Sequence, residues 1–453
     1  MMETEDRPSI LDAITAPDMN RSTIRFAIGF FEDLLRGCET PNIAVRFWDG
    51  SVWRLRSDAR PAAMLLLRHE DSLRRMLRAP IQLALGEAYI YDDIDVVGPL
   101  DAFLPLADHL LTKRRSVIDW IRCLNHTWRQ RNLIRPPEEM RTLSLEGRPH
   151  EKRRDKEAVR FHYDLPVEFF RLWLDSRLVY SCGYYRTPDD DLDDAQMQKL
   201  EYLCRKLQIK EGDHILDVGC GWGGFALYAA QMHGAIVHGI TLSRRQAEVA
   251  NQRITALGLS QRCRIEVRDF RDVQGEELYD KIVSIGMVEH VGRSHLESYH
   301  RRAMRLLTPG GIFFNQGIGA RDGRPKLGAF ADRYVFPDAE LPPIQELVRA
   351  AEVSGFEIRD VETLREHYAL TLDAWRHRLE QHQEKAVKIV GEVIYRVWRL
   401  YMAMAAYNFR VGRLSLYQTL SVKSVGGKAG IPLTREGWYE RFTQIQRARK
   451  KAA

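Results

Sequence analysis

Apolar residues recur at helical spacing over TIRFAIGFFEDLLR (23–36), which predicts a helix with Thr23 as a candidate cap. The pattern then changes. AVRFWDGSVWRL (44–55) alternates apolar and polar positions on either side of Asp49-Gly50 and reads as a hairpin. IQLALGEAYIYDDIDV (81–96) continues a small mixed α+β region placed at residues 1–125. Residues 126–160 are rich in Arg, Glu and Pro and read as a charged linker or a segment laid over the surface. From 161 to 453 strand-like and helical stretches alternate. The strand-like runs are HILDV (214–218), AIVHGI (235–240), CRIEVRD (263–269), YDKIVSI (279–285) and GIFFNQGI (311–318). This alternation predicts an α/β domain, a mainly parallel sheet with helices on both faces. Two long helical patterns follow, TLDAWRHRLEQHQEKAVKIV and GEVIYRVWRLYMAMAAYNFR. The second carries Trp, Tyr, Met and Phe on several faces. It reads either as a core helix or as the wall of an elongated apolar pocket.

With 453 residues and 45% hydrophobic content, the chain can fill two cores. Its net charge is only +6, yet basic residues cluster at Lys113-Arg114-Arg115, Lys152-Arg153-Arg154 and Arg447-Ala448-Arg449-Lys450-Lys451. Each cluster is either an ordinary solvated surface or a face for acidic lipid headgroups. Nucleic-acid motifs are missing, so that partner is not expected. Six cysteines (Cys38, Cys123, Cys182, Cys204, Cys220, Cys263) form no CxxC pair, as expected of free thiols in a reducing compartment. No signal segment and no apolar run of about 18 residues is present. A cytoplasmic chain with at most peripheral membrane contact is the expectation.

The candidate chemistry begins at HILDVGCGWGG (214–224), an apolar run ending in Asp217 and then glycines at 219, 221, 223 and 224. This is a strand, a tight turn and a helix N-terminus, where backbone N–H groups can approach a ligand because no Cβ intervenes. Nicotinamide enzymes use a similar turn, but they place an acid at the end of the second strand. Here that strand ends in Gly239-Ile240-Thr241-Leu242-Ser243, with Gln246 following. The third ends in Asp269-Phe270, an acid and an aromatic that can bracket an adenine, or else a plain turn acid.

DVGCGWGG, GITLS, RDFRDV and IVSIGMVEHVG, in this order and spacing, resemble the cyclopropane fatty acid and mycolic acid cyclopropane synthases. The likeness extends to KEAVRFHYDLPVEFF, LVYSCGYYR, YVFPDAELPPI and REHYALTLDAW, and to LALGEAYIYDDIDV in the N-terminal region. The resemblance implies a Rossmann-like class I methyltransferase domain, S-adenosylmethionine as cofactor, and a homodimer acting on unsaturated phospholipid at a membrane surface. It places Tyr180, Ser181, Asp217, Gly219, Gly221, Thr241, Leu242, Ser243, Gln246, Asp269 and Phe270 around the cofactor. It also implies a bicarbonate ion held by Cys182, Glu289, the backbone at Ile318, and Tyr368. Methyl transfer to an alkene leaves a carbocation, which aromatic faces can stabilise without trapping it. A base then removes a proton and the three-membered ring closes.

Two positions depart from the family pattern. Gln316 stands where the family places a His, and an amide cannot carry a positive charge or shuttle a proton. Ala405 stands where some members have a cysteine. The resemblance implies a cyclopropane as product, and these departures open a methylene- or methyl-branched chain as the alternative ending. A methyltransferase for another small molecule and an inactive lipid-binding module are the remaining readings. His162 and Tyr163 are either packing residues or part of the site.

Overall fold

The alternating run around Asp49-Gly50 folds into a hairpin of β1 (Ile43–Arg46) and β2 (Val52–Arg54), antiparallel with Ala44 opposite Arg54. The computed structural model describes residues 22–35, 42–56, 59–112, 145–321 and 328–439. The basic runs at 113–115 and 447–451, and Cys38 and Cys123, lie outside them. The chain divides into two compact units. One comprises Met1–Leu143, Leu327–Pro337 and His382–Tyr407; the other comprises Ser144–Lys326, Asp338–Gln381 and Asn408–Ala453.

In the first unit β1 also pairs in parallel with β3 (Ala63–Leu67), and β3 pairs antiparallel with β4 (Ile94–Val97), giving the order β2-β1-β3-β4. The helix Ser22–Leu35 buries Ile24, Ala27, Ile28, Phe31 and Leu35, the stripe that a 3.6-residue repeat brings to one side. Thr23 lies inside this helix and not at a flanking cap position. Two segments from far along the chain complete the unit. Phe330 rests against the helix Ile81–Ile90 where a Cβ on Gly86 would come within 2.1 Å of its ring, so only glycine admits it. Arg396, buried in the helix Glu392–Arg410, donates to the Tyr89 carbonyl at 2.7 Å and to Asp92 at 2.9 Å. A sequence boundary near 125 separates residues that this unit joins.

The second unit is built on seven strands. These are β5 (His214–Val218), β6 (Ile236–Thr241), β7 (Cys263–Val267), β8 (Tyr279–Ile285), β9 (Leu307–Ala320), β10 (Glu357–Thr363) and β11 (Leu414–Val422). Their order is β10-β11-β9-β8-β5-β6-β7, parallel from β7 through β9, with β11 antiparallel to both its neighbours. Central strands are buried on both faces, and β5 is buried from Ile215 to Val218. Because successive side chains point to opposite faces, Ile215, Val283 and Phe314 enter one apolar cluster while Leu216, Ile282 and Phe313 enter another. Each such side chain, fully buried, contributes on the order of 2 kcal/mol.

One expectation fails here. The last part of the supposed linker is an ordered helix, Lys152–Tyr163, belonging to the second unit. Its charges hid it, but they are partnered. Arg154 makes a two-pronged contact with Asp338, and Asp155 pairs with Arg271 at 3.0 Å. Among the described residues no helix is long and apolar enough to cross a membrane.

Candidate active site

Strand β5 delivers Asp217 and then a turn in which Gly219, Gly221 and Gly223 all have positive φ, 76°, 55° and 81°. Residues with a Cβ disfavour that region, so the turn needs glycine. Gly223 caps the helix Gly224–His233, and nothing stands within 4 Å of where a Cβ on Gly221 would point. The turn is fastened to β6, whose Ile240 carbonyl accepts from the Gly219 and Cys220 N–H groups at 2.9 and 3.0 Å.

Against this turn lies a cavity of about 320 Å³. Tyr180, Ser181, Asp217, Gly219, Gly221, Thr241, Leu242, Gln246, Asp269 and Phe270 all line it, drawn from three strand ends and the loop before the helix Leu192–Lys206. Ser243 does not. Its hydroxyl caps the helix Arg244–Ala256 by accepting from the Gln246 N–H, and donates to Asp164 at 3.0 Å. Thr241 donates its hydroxyl proton to the Gln246 side-chain carbonyl at 2.7 Å, which leaves that amide's NH₂ as the group on offer. Asp269 accepts from the Arg271 backbone N–H and guanidinium at 2.6–2.9 Å, and these bonds hold its carboxyl below the usual range against the opposing effect of burial. It is a turn acid and a cavity acid at once. Phe270 packs edge-on to Tyr299, which also lines the cavity.

Sequence reasoning missed Lys199, Trp222, Asp155 and Val159, all of which reach this cavity. A signal for Lys199 existed. Leu192, Ala195, Lys199 and Leu203 fall at the inward spacing of one helix face. Burial pushes the Lys199 ammonium down to about 8 and the Asp217 carboxyl up to about 7. His290, also on the cavity, is pushed down to about 4 by the same cause. Of the two undecided residues, Tyr163 lines the cavity, while His162 stacks on Tyr180 and shares a hydrogen bond with its hydroxyl at 3.2 Å.

Cys182, Glu289, Gln316, Ile318 and Tyr368 are not part of the cavity wall. Four of them are connected in relay through the backbone of β9, β11 and Leu364. Ile318 N–H donates to Glu289 Oε1 at 2.7 Å. Ile318 is opposite Leu416 on β11, and the Leu416 carbonyl accepts from the Leu364 N–H. The Leu364 carbonyl in turn accepts from the Tyr368 N–H at 3.1 Å and faces the Cys182 thiol at 3.9 Å. Gln316 goes elsewhere. Its side-chain carbonyl accepts from Gln418 at 2.9 Å, and Gln418 accepts from the buried Lys206 at 2.9 Å. Glu289 has its second oxygen buried without a hydrogen-bond partner, and burial pushes its carboxyl up to about 7. The Cys182 thiol, wholly buried, donates to the Gly183 carbonyl and is pushed far up by burial, so it is no nucleophile. For bicarbonate, the set does not stand open: the Ile318 N–H is spent on Glu289 and the Cys182 thiol on Gly183.

Aromatic rings link the two groups of residues. Trp222 lies 4.6 Å from Phe170, Phe170 lies 6.1 Å from Tyr180, and Tyr180 lies 5.1 Å from Trp375. Trp375 lies 6.1 Å from Tyr368, which lies 4.9 Å from Phe409.

A sheet of this order, with a glycine turn at its first central strand and a cavity beyond the strand ends, defines a class I S-adenosylmethionine-dependent methyltransferase domain. Residues 150–419 match the family described as mycolic acid cyclopropane synthetase, and the chain belongs to that family. Residues 30–110 match a separate domain of unknown function. A "Probable fatty acid methyltransferase" of Pseudomonas putida is 38% identical over 88% of this chain and 96% of its own length. The cyclopropane-fatty-acyl-phospholipid synthase of Escherichia coli is 33% identical over 58% of this chain and 67% of its own. Among solved structures, the cyclopropane synthase MmaA2 from Mycobacterium tuberculosis is 31% identical with a TM-score of 0.56, covering 59% of this chain and 98% of that one. The mycolic acid cyclopropane synthase CmaA1, complexed with SAH and CTAB, gives the same identity, TM-score and coverage.

Proposed function

We propose that the chain methylates the double bond of an unsaturated acyl chain in a phospholipid and closes the product to a cyclopropane. The observation that carries this reading is the run of rings from Trp222 through Phe170, Tyr180 and Trp375 to Tyr368, which leads from the cofactor cavity into an aromatic interior. A transient carbocation is stabilised by such aromatic faces. Names of relatives support the substrate class: a fatty acid methyltransferase, a cyclopropane-fatty-acyl-phospholipid synthase, and a sphingolipid C9-methyltransferase of Komagataella phaffii.

The cavity suits S-adenosylmethionine, with Asp217 Oδ2 buried and unpartnered and with Gly221 open toward it. When bound, this cofactor supplies an electrophilic sulfonium methyl group. The chain's residues do the rest. The Gln246 NH₂ and the glycine turn hold the nucleoside. Tyr180, Trp375 and Tyr368 offer π faces to positive charge, and the buried Trp375 and Tyr368 keep water from converting it to an alcohol. Glu289 Oε2 accepts the proton that the added methyl group must lose. A carboxyl near 7 is poised for that step at neutral pH.

A second reading, ending in a methylene branch, is favoured by Gln316, whose amide is tied to Gln418 and moves no proton. The test is incubation of the pure protein with labelled S-adenosylmethionine and vesicles of unsaturated phospholipid, followed by mass spectrometry of the fatty acids. A gain of one CH₂ with loss of the olefin supports the ring, and the same gain with an olefin retained supports the branch. Lipid without label overturns both.

A further inference from the structure

Two lysines lie on the inward side of the helix Leu192–Lys206, seven residues apart, and both are fully buried. Lys206 is fully partnered. It contacts Asp360 at 3.1 Å, Glu362, and the Gln418 side chain at 2.9 Å. Lys199 is not. Its ammonium donates to the Ser181 hydroxyl at 2.8 Å, a neutral group, and no carboxylate lies within 4.0 Å of it among the described ion pairs. One hydroxyl does not compensate for taking an ammonium out of water. Lys199 lines the cofactor cavity. So does Asp217, a second buried charge, whose Oδ2 has no hydrogen-bond partner. A cation and an anion thus line one cavity without touching one another.

We propose that Lys199 is a specificity residue for the cofactor: its ammonium receives the carboxylate of the cofactor's amino-acid end, while Asp217 faces the ammonium of that same end. A zwitterion completes both charges at once, which an uncharged nucleoside cannot do. Ser181, hydrogen-bonded to Lys199, holds the ammonium in place. The assignment rests on the reading that the cavity takes S-adenosylmethionine.

The experiment is a cycle of binding constants measured by calorimetry, without turnover. The ligands are S-adenosylhomocysteine and its decarboxylated analogue; the proteins are wild type, Lys199→Met and Lys199→Gln. Wild type is expected to prefer the intact ligand by about tenfold or more, the scale of one charge-assisted hydrogen bond. Both variants are expected to lose that preference while binding the decarboxylated analogue within about twofold of wild type. Lys199→Gln keeps a donor of similar length, so the test stands if the methionine variant does not fold. An undiminished preference in Lys199→Gln overturns the assignment, as does an equal loss for both ligands, which marks a merely structural lysine. Wild-type protein that binds neither ligand overturns the cofactor reading itself.

Discussion

The Ile318 backbone N–H donates to Glu289 Oε1 at 2.7 Å and leaves Glu289 Oε2 buried with no partner. One oxygen is anchored to the sheet and the other is free to take a proton. Burial, opposed by that single backbone bond, sets the carboxyl near 7.

Replacing Glu289 by Gln keeps the shape and the bond from Ile318 but removes the proton acceptor. Turnover is expected to fall by about 100-fold or more, while S-adenosylhomocysteine binding stays within about twofold, since Glu289 is not on the cofactor cavity. Label transfer and calorimetry read the two quantities separately. In the wild type the rate is expected to rise through pH 7, because the deprotonated carboxylate is the active form. A flat profile between pH 6 and 8 contradicts the role.

Glu289 and Asp217 both have carboxyls raised to about 7 in the folded chain, above their ordinary values. The folded state therefore holds more protons than the unfolded state from about pH 4 to about pH 7, and stability declines as pH rises across that window. The decline is expected to be on the order of 1–3 kcal/mol for each group. Thermal melts of Glu289→Gln between pH 5 and 8 are expected to show a shallower decline than wild type.

Gly317 sits under the turn that carries Glu289. A Cβ there would come within 2.1 Å of Val288 Cγ1 and 3.5 Å of Glu289 Oε2. Gly317→Ala is expected to displace the carboxylate and reduce turnover by about tenfold or more, the cost of a displacement of about 1 Å or less. The cofactor affinity measured alongside is expected to change little.

Lys206 holds Asp360, Glu362 and, through Gln418, the side chain of Gln316. Lys206→Met removes the buried cation shared by Asp360 and Glu362, leaving them Arg435 and the Tyr202 hydroxyl, and is expected to cost about 3 kcal/mol or more. Gln316→Leu leaves only the Gln418 NH₂ without its acceptor and is expected to cost about 1–3 kcal/mol. Urea unfolding of both variants orders them; a smaller loss for Lys206→Met than for Gln316→Leu contradicts this account of the network.

Much of the second unit was legible along the chain. HILDV is buried over its last four residues and YDKIVSI over Ile282–Ser284, so their apolar centres mark strands directly. The glycine turn was legible because positive φ is demanded by local geometry. The helix Lys152–Tyr163 was not, because its charges are matched by Asp338 and Arg271, partners remote in sequence. Ser243 stands off the cavity wall for a related reason. Capping and ligand contact ask for the same residue type, and only the direction of the hydroxyl separates them.

The sequence by itself determined the strand and helix periods and the glycine turn, since these depend on neighbours a few positions away, and family resemblance added part of the cavity wall. Tertiary structure alone decided that residues 382–407 join the N-terminal unit, that Gln316 is bound to Gln418 across 102 residues, and that Lys199 enters the cavity with a single hydroxyl for company. Each of these is a balance of buried charge and hydrogen bonding between distant segments. Such a balance exists only once the chain has closed and water has been removed from between them.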